Sequence, residues 1–346
     1  IMGVVVNYRQ FGNTDLKVSE ICFGTMRYAN KSGAEDDTSK AGRHALEQAL
    51  ERGVNFVHSS YEYRTRWLTD KTLANHPKRH DVHHVVKVNV PDWSEDGFDE
   101  EEFRGQIHEA LEELHTDRIA VVQHLHRGKL PKRLGYTAEG EPSRLSEFES
   151  VAHPLREAFD RLKREGKVGY LATFPYTVGY AERAIQSGLF DGIAAFFGCL
   201  ETEIMDLFPA LEERGMGFIG IRPLAAGLLT NKRVDRQSLS ADDRQTDASW
   251  ERLYDQLRDF RAALPEEPTD WTKFAIRFSL QPFAVASTVL GINRVEQLET
   301  ALAAMEGPPI PEETLRAAHA LTVKYRAQHG IKALPSGIPV YTLPDA

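Results

Sequence analysis

The sequence predicts an α/β fold, a closed (β/α)8 barrel of the TIM type. Three observations carry this expectation. Short apolar runs alternate with longer amphipathic stretches over most of the chain, the signature of parallel strands joined by helices. Eight such runs can be counted, at 21–24, 54–58, 84–88, 119–124, 168–173, 193–197, 218–221 and 284–290. The length of 346 residues accommodates a barrel of roughly 250 residues plus insertions. An open doubly wound sheet is the second choice, and no G-x-G-x-x-G turn follows any of the runs to support it.

The helical stretches are justified by their spacing. Phe103, Ile107, Ala110, Leu111 and Leu114 recur at intervals of three and four residues and predict one buried helical face. Leu155, Ala158, Phe159 and Leu162 do the same ahead of a stop at Gly166. Val295, Leu298, Ala301, Leu302 and Met305 form the stripe of the last barrel helix. Three stretches exceed ordinary loop length: 128–150 after the fourth strand, 231–249 after the seventh, and a tail over about 311–346. Long loops at the strand C-termini are where barrels shape substrate pockets. With no linker composition in view, residues 1–346 are read as one barrel domain.

Composition narrows the function classes. Charged residues make up 27% and hydrophobic residues 41%, ordinary for a soluble globular protein. A formal charge of −9 argues against a nucleic-acid partner, which wants a basic face. Cys22 and Cys199 are the only cysteines, so no disulfide framework is implied and a reducing, cytoplasmic setting is expected. The apolar run at 4–6 is too short for a signal-peptide core or a membrane span. Nothing specifies an oligomeric state.

The segment 53–63 reads Gly-Val-Asn-Phe-Val-His-Ser-Ser-Tyr-Glu-Tyr: a helix stop, an apolar strand, then a polar cluster where the strand ends. Chemistry in such barrels sits at that end of the strands. His58 and Tyr63 are therefore candidate site residues. The fourth strand ends Gln123-His-Leu-His-Arg127, which adds His124 and His126.

Several ordered segments then resemble one family. They are Tyr8-Arg-Gln-Phe-Gly-Asn-Thr-Asp-Leu-Lys-Val-Ser-Glu-Ile-Cys-Phe-Gly-Thr-Met26, residues 162–170, Pro223-Leu-Ala-Ala-Gly-Leu-Leu-Thr-Asn-Lys232, and Val289-Leu-Gly-Ile-Asn-Arg294 with Glu296-Gln297-Leu298. Together with 53–63 they resemble the aldo-keto reductases, from the opening hairpin at about 6–19 to about residue 305. The resemblance implies reduction of carbonyls with NADPH by a tetrad of aspartate, tyrosine, lysine and histidine. The tyrosine becomes Tyr63, the proton donor. The lysine becomes Lys87, whose charge makes the phenol a better acid. The histidine matches His126 through the following arginine and His124 through its distance from Gln123. His126 is preferred, with a bulge at the rim absorbing the extra residue.

Departures from the family pattern cluster at two places. His58 stands where the acid belongs, as a second acid or base or as a hydrogen-bonding neighbour. Around the nicotinamide, Ala172-Thr-Phe-Pro175 replaces Gly-Val-Ser-Asn, Ala194 or Ala195 replaces a glutamine, and Ile221 replaces the stacking aromatic. The rest of the implied cofactor site is Gly24, Thr25, Arg222, Leu224, Gly227, Leu228, Gly291, Asn293, Arg294 and Gln297, with Arg294 able to meet a 2′-phosphate. The late asparagine that contacts adenine is Ala301. NADP(H) held weakly at its nicotinamide end is the cofactor expected. The alternative is the same barrel turned to non-redox chemistry by Tyr63, Lys87, His58 and His126, or a non-catalytic binding subunit. No metal is expected, since Lys87 would repel a cation from His124 and His126.

Overall fold

The computed structural model describes residues 6–135 and 138–328. A hairpin of β1 (Tyr8–Gln10) and β2 (Lys17–Ser19) opens the chain. Eight parallel strands follow: β3 (Ile21–Gly24), β4 (Phe56–Ser60), β5 (His83–Val88), β6 (Ile119–His124), β7 (Val168–Thr173), β8 (Gly192–Phe196), β9 (Gly217–Ile221) and β10 (Val285–Gly291). Each pairs with its sequence neighbour, and β10 returns to β3 to close the barrel. The eight expected strands all form, within two residues of the sequence reading at either end.

The outer ring holds α1 (Asp37–Glu51), α2 (Arg66–Leu73), α3 (Glu100–Glu113), α4 (Glu141–Ser146), α5 (Phe148–Arg164), α6 (Val178–Ser187), α7 (Phe208–Glu213), α8 (Glu251–Ala263), α9 (Trp271–Leu280) and α10 (Val295–Ala304). Side chains of Asp36, Asp99, Thr177 and Asp270 accept from backbone N–H groups in the first turns of α1, α3, α6 and α9. Each such cap is worth about 1 kcal/mol. Among the described residues no helix is long and apolar enough to cross a membrane.

Within the described residues, the three long segments hold more regular structure than their sequence suggests. The first contains α4 and the start of α5. The second is a chain of single 3-10 turns at 236–238, 244–246 and 248–250, where Asp235, Asp243 and Asp247 each accept from the N–H two residues on. The tail is corrected outright: it forms α11 (Glu312–Gln328), packed on α8. Gln256 donates to Thr322 Oγ1 at 3.1 Å and Tyr325 to Asp259 at 3.0 Å. The buried face of α11 carries Thr314, Ala318, Thr322 and Tyr325, too polar a stripe for hydrophobic periodicity to reveal. Residues 329–346 lie outside the described residues.

Strand side chains alternate between lumen and helix layer with period two. Cys22, Phe56, Val85, Val121, Ala172, Ala194, Ile219 and Ala286 face inward and fill the lower barrel. Phe11 of the hairpin, fully buried, plugs the bottom of the barrel. A Cβ at Gly192 or Gly217 would stand 2.4 or 2.3 Å from its ring, so glycine is required at both positions.

Two predictions follow from this packing. Phe11→Ala should cost about 3–5 kcal/mol, read by urea denaturation; a loss below about 1 kcal/mol would mean the plug is ornamental. The second concerns acid. Burial, aided by neighbouring cationic or histidine groups, lowers the pKa of His58 to about 3, His84 to about 4 and His124 to about 3, from 6.5. Below pH 6.5 the unfolded chain takes up protons that the folded chain refuses. Stability is therefore complete above about pH 6.5 and is lost toward pH 3–4, by about 1.4 kcal/mol per pH unit per histidine. Urea midpoints at pH 7 and pH 5 should differ accordingly, and His124→Gln, which keeps a donor for Val90, should lessen the difference. Equal stability at the two pH values would contradict this.

Candidate active site

At the top of β4, Ser60 Oγ accepts from the Glu62 N–H at 3.3 Å and starts a 3-10 turn, Tyr61–Tyr63, closed by Arg64 in the left-handed region at φ 53. The turn is clamped on both sides. Asn89 donates to Tyr61 Oη at 2.9 Å. Arg127 grips the Glu62 carboxylate with two nitrogens at 3.0 and 2.9 Å, reaches Asp92 at 2.8 Å and Tyr176 Oη at 3.3 Å, and lies 5.4 Å over the Trp93 ring. The loops after β4, β5 and β6 are tied together by this one buried guanidinium.

Tyr63, so held, presents its ring to Lys87, whose Nζ lies 5.1 Å from the ring centre. The His58 ring is 6.2 Å from that of Tyr63. Lys87 sits in register between Ser60 on β4 and Gln123 on β6. His58 Nε2 donates to Gln123 Oε1 at 2.8 Å, and Gln123 Nε2 is buried without a partner. His58 is neutral at any pH near 7, because burial above all, and then the charge of Lys87, hold its pKa at about 3. It is no substitute anion. Among the described residues neither Lys87 Nζ nor Tyr63 Oη has a hydrogen-bond partner.

The structure does not bring His126 to this group. Strand β6 runs in unbroken register with β5 and β7, without the expected bulge. Alternation then turns Gln123 and Leu125 inward and His124 and His126 outward. His124 Nε2 donates to Val90 O at 2.7 Å, and His126 lies between Tyr180 of α6 at 3.2 Å and Glu147 at 3.5 Å. Leu125 takes the inward place expected of the histidine. Applying strict alternation to Gln-His-Leu-His would have revealed this. Arg127 and Gln123, whose side chains organise this mouth, carry no sequence signal beyond their place beside the two histidines. Among the described residues no cluster of three His, Cys, Asp or Glu could hold a metal ion.

Residues of the implied cofactor site fall into three groups. Gly24 packs its backbone against Leu290, Thr25 is turned to His58 O with both N–H and hydroxyl, and Leu228 is core. These offer a ligand no side-chain donor. Arg222, at φ 65, is gripped by Glu201 at 2.8 and 3.2 Å and lies 4.5 Å over Phe196. Leu224 begins a turn whose Ala225, Ala226 and Gly227 all have positive φ (45, 55 and 92). At the third place, Gly291 is open, Arg294 is exposed ahead of α10, and no side chain caps that helix. Gln297 Oε1 accepts from the Asn293 N–H at 2.9 Å, while Asn293 Oδ1 is buried and unpaired.

Uncapped N–H groups at a helix start and an exposed cation fit the phosphate-bearing end of a dinucleotide, whereas the orphaned Asn293 Oδ1, an acceptor, suits a hydroxyl or amine donor of the same ligand. The nicotinamide end fits less well. Leu125, Phe174, Tyr176, Trp93, Phe196 and Ile221 form one apolar cluster across the mouth. Ring centres lie 5.2 Å apart for Phe174 and Phe196 and 5.0 Å apart for Phe174 and Tyr176. Ala194 faces inward and Ala195 outward, and neither offers a carboxamide partner.

Comparison with known proteins agrees with the geometry. The model of the Aldo/keto reductase family matches residues 20–322. The chain is 28% identical to L-galactose dehydrogenase of Arabidopsis thaliana over 335 residues, covering 91% of this chain and 94% of that one. It is 25% identical to the uncharacterized oxidoreductase YqkF of Bacillus subtilis over 319 residues, covering 89% and 94%. Among solved structures, the holo form of aldo-keto reductase AKR11C1 from Bacillus halodurans superposes with a TM-score of 0.67 at 21% identity, covering 91% and 96%, which supports the fold. The non-redox and non-catalytic alternatives are not favoured by these matches. Membership implies an enzyme using a nicotinamide cofactor on a small molecule. The chain is an oxidoreductase-type barrel that belongs to the aldo/keto reductase family.

Proposed function

We propose that the protein reduces the carbonyl group of a small molecule with NADP(H), Tyr63 delivering the proton to the carbonyl oxygen. The observation that carries this reading is the Lys87 ammonium held 5.1 Å from the Tyr63 ring at the barrel mouth. A positive charge there favours the phenolate left behind once the proton has moved. Arg127, through Glu62, fixes the turn on which Tyr63 rides. The apolar cluster of Leu125, Phe174, Phe196 and Ile221 excludes water from the reacting carbonyl. The bound cofactor supplies the hydride. Arg294 and the start of α10 would hold its phosphates, with Asn293, Arg222, Gln297 and Gly227 alongside. Cytoplasmic residence belongs to the same proposal and suits the free, buried thiols of Cys22 and Cys199.

Tyr63→Phe should lower kcat on 4-nitrobenzaldehyde with NADPH by about 10²–10⁴-fold while adenosine 2′,5′-bisphosphate still binds. An unchanged kcat would remove Tyr63 from the chemistry. Arg294→Ala should weaken NADPH by about tenfold or more, the worth of a hydrogen bond to a charged group, and leave NADH affinity alone. The bisphosphate should bind wild type nearly as well as NADPH does. Equal losses for both cofactors would move the 2′-phosphate away from Arg294.

A further inference from the structure

Lys87 is the one Lys, Arg, Asp or Glu anywhere in the eight barrel strands. It faces the lumen at the mouth, in the alternation set by Val85. Among the described residues its ammonium makes no ion pair or hydrogen bond. His58, the nearest ionisable ring on the inner wall, stays neutral because it is buried. The carboxylates of the rim are taken up elsewhere: Glu62 and Asp92 by Arg127, Glu201 by Arg222. Beside Lys87 in register, the fully buried Gln123 is pinned through Oε1 to His58 and leaves its Nε2 donor unpartnered. Tyr63 offers a further donor. The polar part of the mouth is thus rich in donors and lacks an anion, and the remainder is the apolar cluster from Trp93 to Ile221.

We infer that the substrate supplies the missing anion: it is a carbonyl compound bearing a carboxylate, a 2-oxo acid with an apolar remainder, whose carboxylate pairs with Lys87. This rests on the carbonyl-reductase reading above and names its substrate class. The conversion is 2-oxo acid plus NADPH plus a proton to 2-hydroxy acid plus NADP+. The carbonyl carbon gains a hydride with its electron pair, and the oxygen gains the proton from Tyr63, which solvent then replaces. The carboxylate is unchanged by the reaction and serves recognition, while the apolar remainder rests against Leu125, Phe174 and Tyr176. A neutral carbonyl compound would leave the Lys87 charge as unpaired as it stands now, so selection against neutral substrates is built into the same residue.

The test separates binding from turnover. Benzoate and its neutral isostere benzamide are titrated against the full chain, with fluorescence of the tryptophans, Trp93 among them, as readout. Benzoate should bind at least tenfold more tightly than benzamide. Lys87→Met should erase that difference, and so should His58→Asp, which places a carboxylate inside the barrel beside Lys87. In turnover with NADPH, wild type should prefer phenylglyoxylate to its methyl ester by tenfold or more in kcat/KM, and His58→Asp should reverse the order. Equal binding of benzoate and benzamide, a benzoate preference that survives Lys87→Met, or a preference for the ester would each overturn the inference. Lys87-dependent benzoate binding with no reduction of either ketone would sink the reductase reading and leave the anion site standing. Since wild type and Lys87→Met suffice for the binding arm, an unfolded His58→Asp variant does not blunt the test.

Discussion

In a closed parallel barrel, the two-residue alternation of each strand decides which side chains can meet at the mouth. Here that parity runs without a bulge from β4 through β7. It places His58, Lys87 and Gln123 inside while sending His124 and His126 into the helix layer. A slip of one residue in β5 would move the charge of Lys87 against buried helices, where an unpaired ammonium is untenable. At the mouth the same charge is half-solvated and faces the Tyr63 ring, a contact worth about 0.5–2 kcal/mol. The site depends on register before it depends on any hydrogen bond.

Most of the scaffold was legible because strands and helices announce themselves by periodicity. The eight apolar runs are strands, and the stripes at 103–114, 155–162 and 295–305 are helices. What escaped had weaker signals. The buried face of α11 is threonine, alanine and tyrosine, so its 17 residues read as a tail. The Phe11 plug depends on Gly192 and Gly217, which are distant in sequence and look like ordinary strand glycines. At the site, Tyr63 and Lys87 were visible through motif and lie together. The fourth-strand histidines misled because a residue-by-residue match was given more weight than the pleat, and the pleat prevailed.

Ion pairs at the rim hold what the strands cannot. Arg127, just after β6, ties its loop to those after β4, β5 and β7 through Glu62, Asp92 and Tyr176. On the opposite side, Arg222, Ala225 and Ala226 hold positive φ, a backbone state costing about 1–3 kcal/mol for each such residue. The cost is met locally: Glu201 grips Arg222 with both oxygens, and Ala226 O accepts from Arg244 and Gln245. Strain of this kind is tolerated where a backbone must approach a ligand closely, and this turn follows β9 directly at the mouth.

The two ends of the cofactor site therefore act by different physics. Around Gly291 and Arg294, the uncapped start of α10 and an exposed cation suit a phosphate. Around Phe174, Ala194 and Ile221 the wall is apolar, and a carboxamide pressed against it would leave polar atoms unpaired at about 1–3 kcal/mol each. In the function proposed above, affinity would come chiefly from the phosphate end, with the ring positioned by shape. A dry wall also lowers the local dielectric, which strengthens every charge interaction that remains. The remaining charge on the strands is Lys87, so this apolar surface directs its field toward Tyr63 and whatever anion the substrate brings. On the proposals above, the apolar wall and the neutral His58 act together, leaving the charge of Lys87 to the substrate and not to a protein carboxylate.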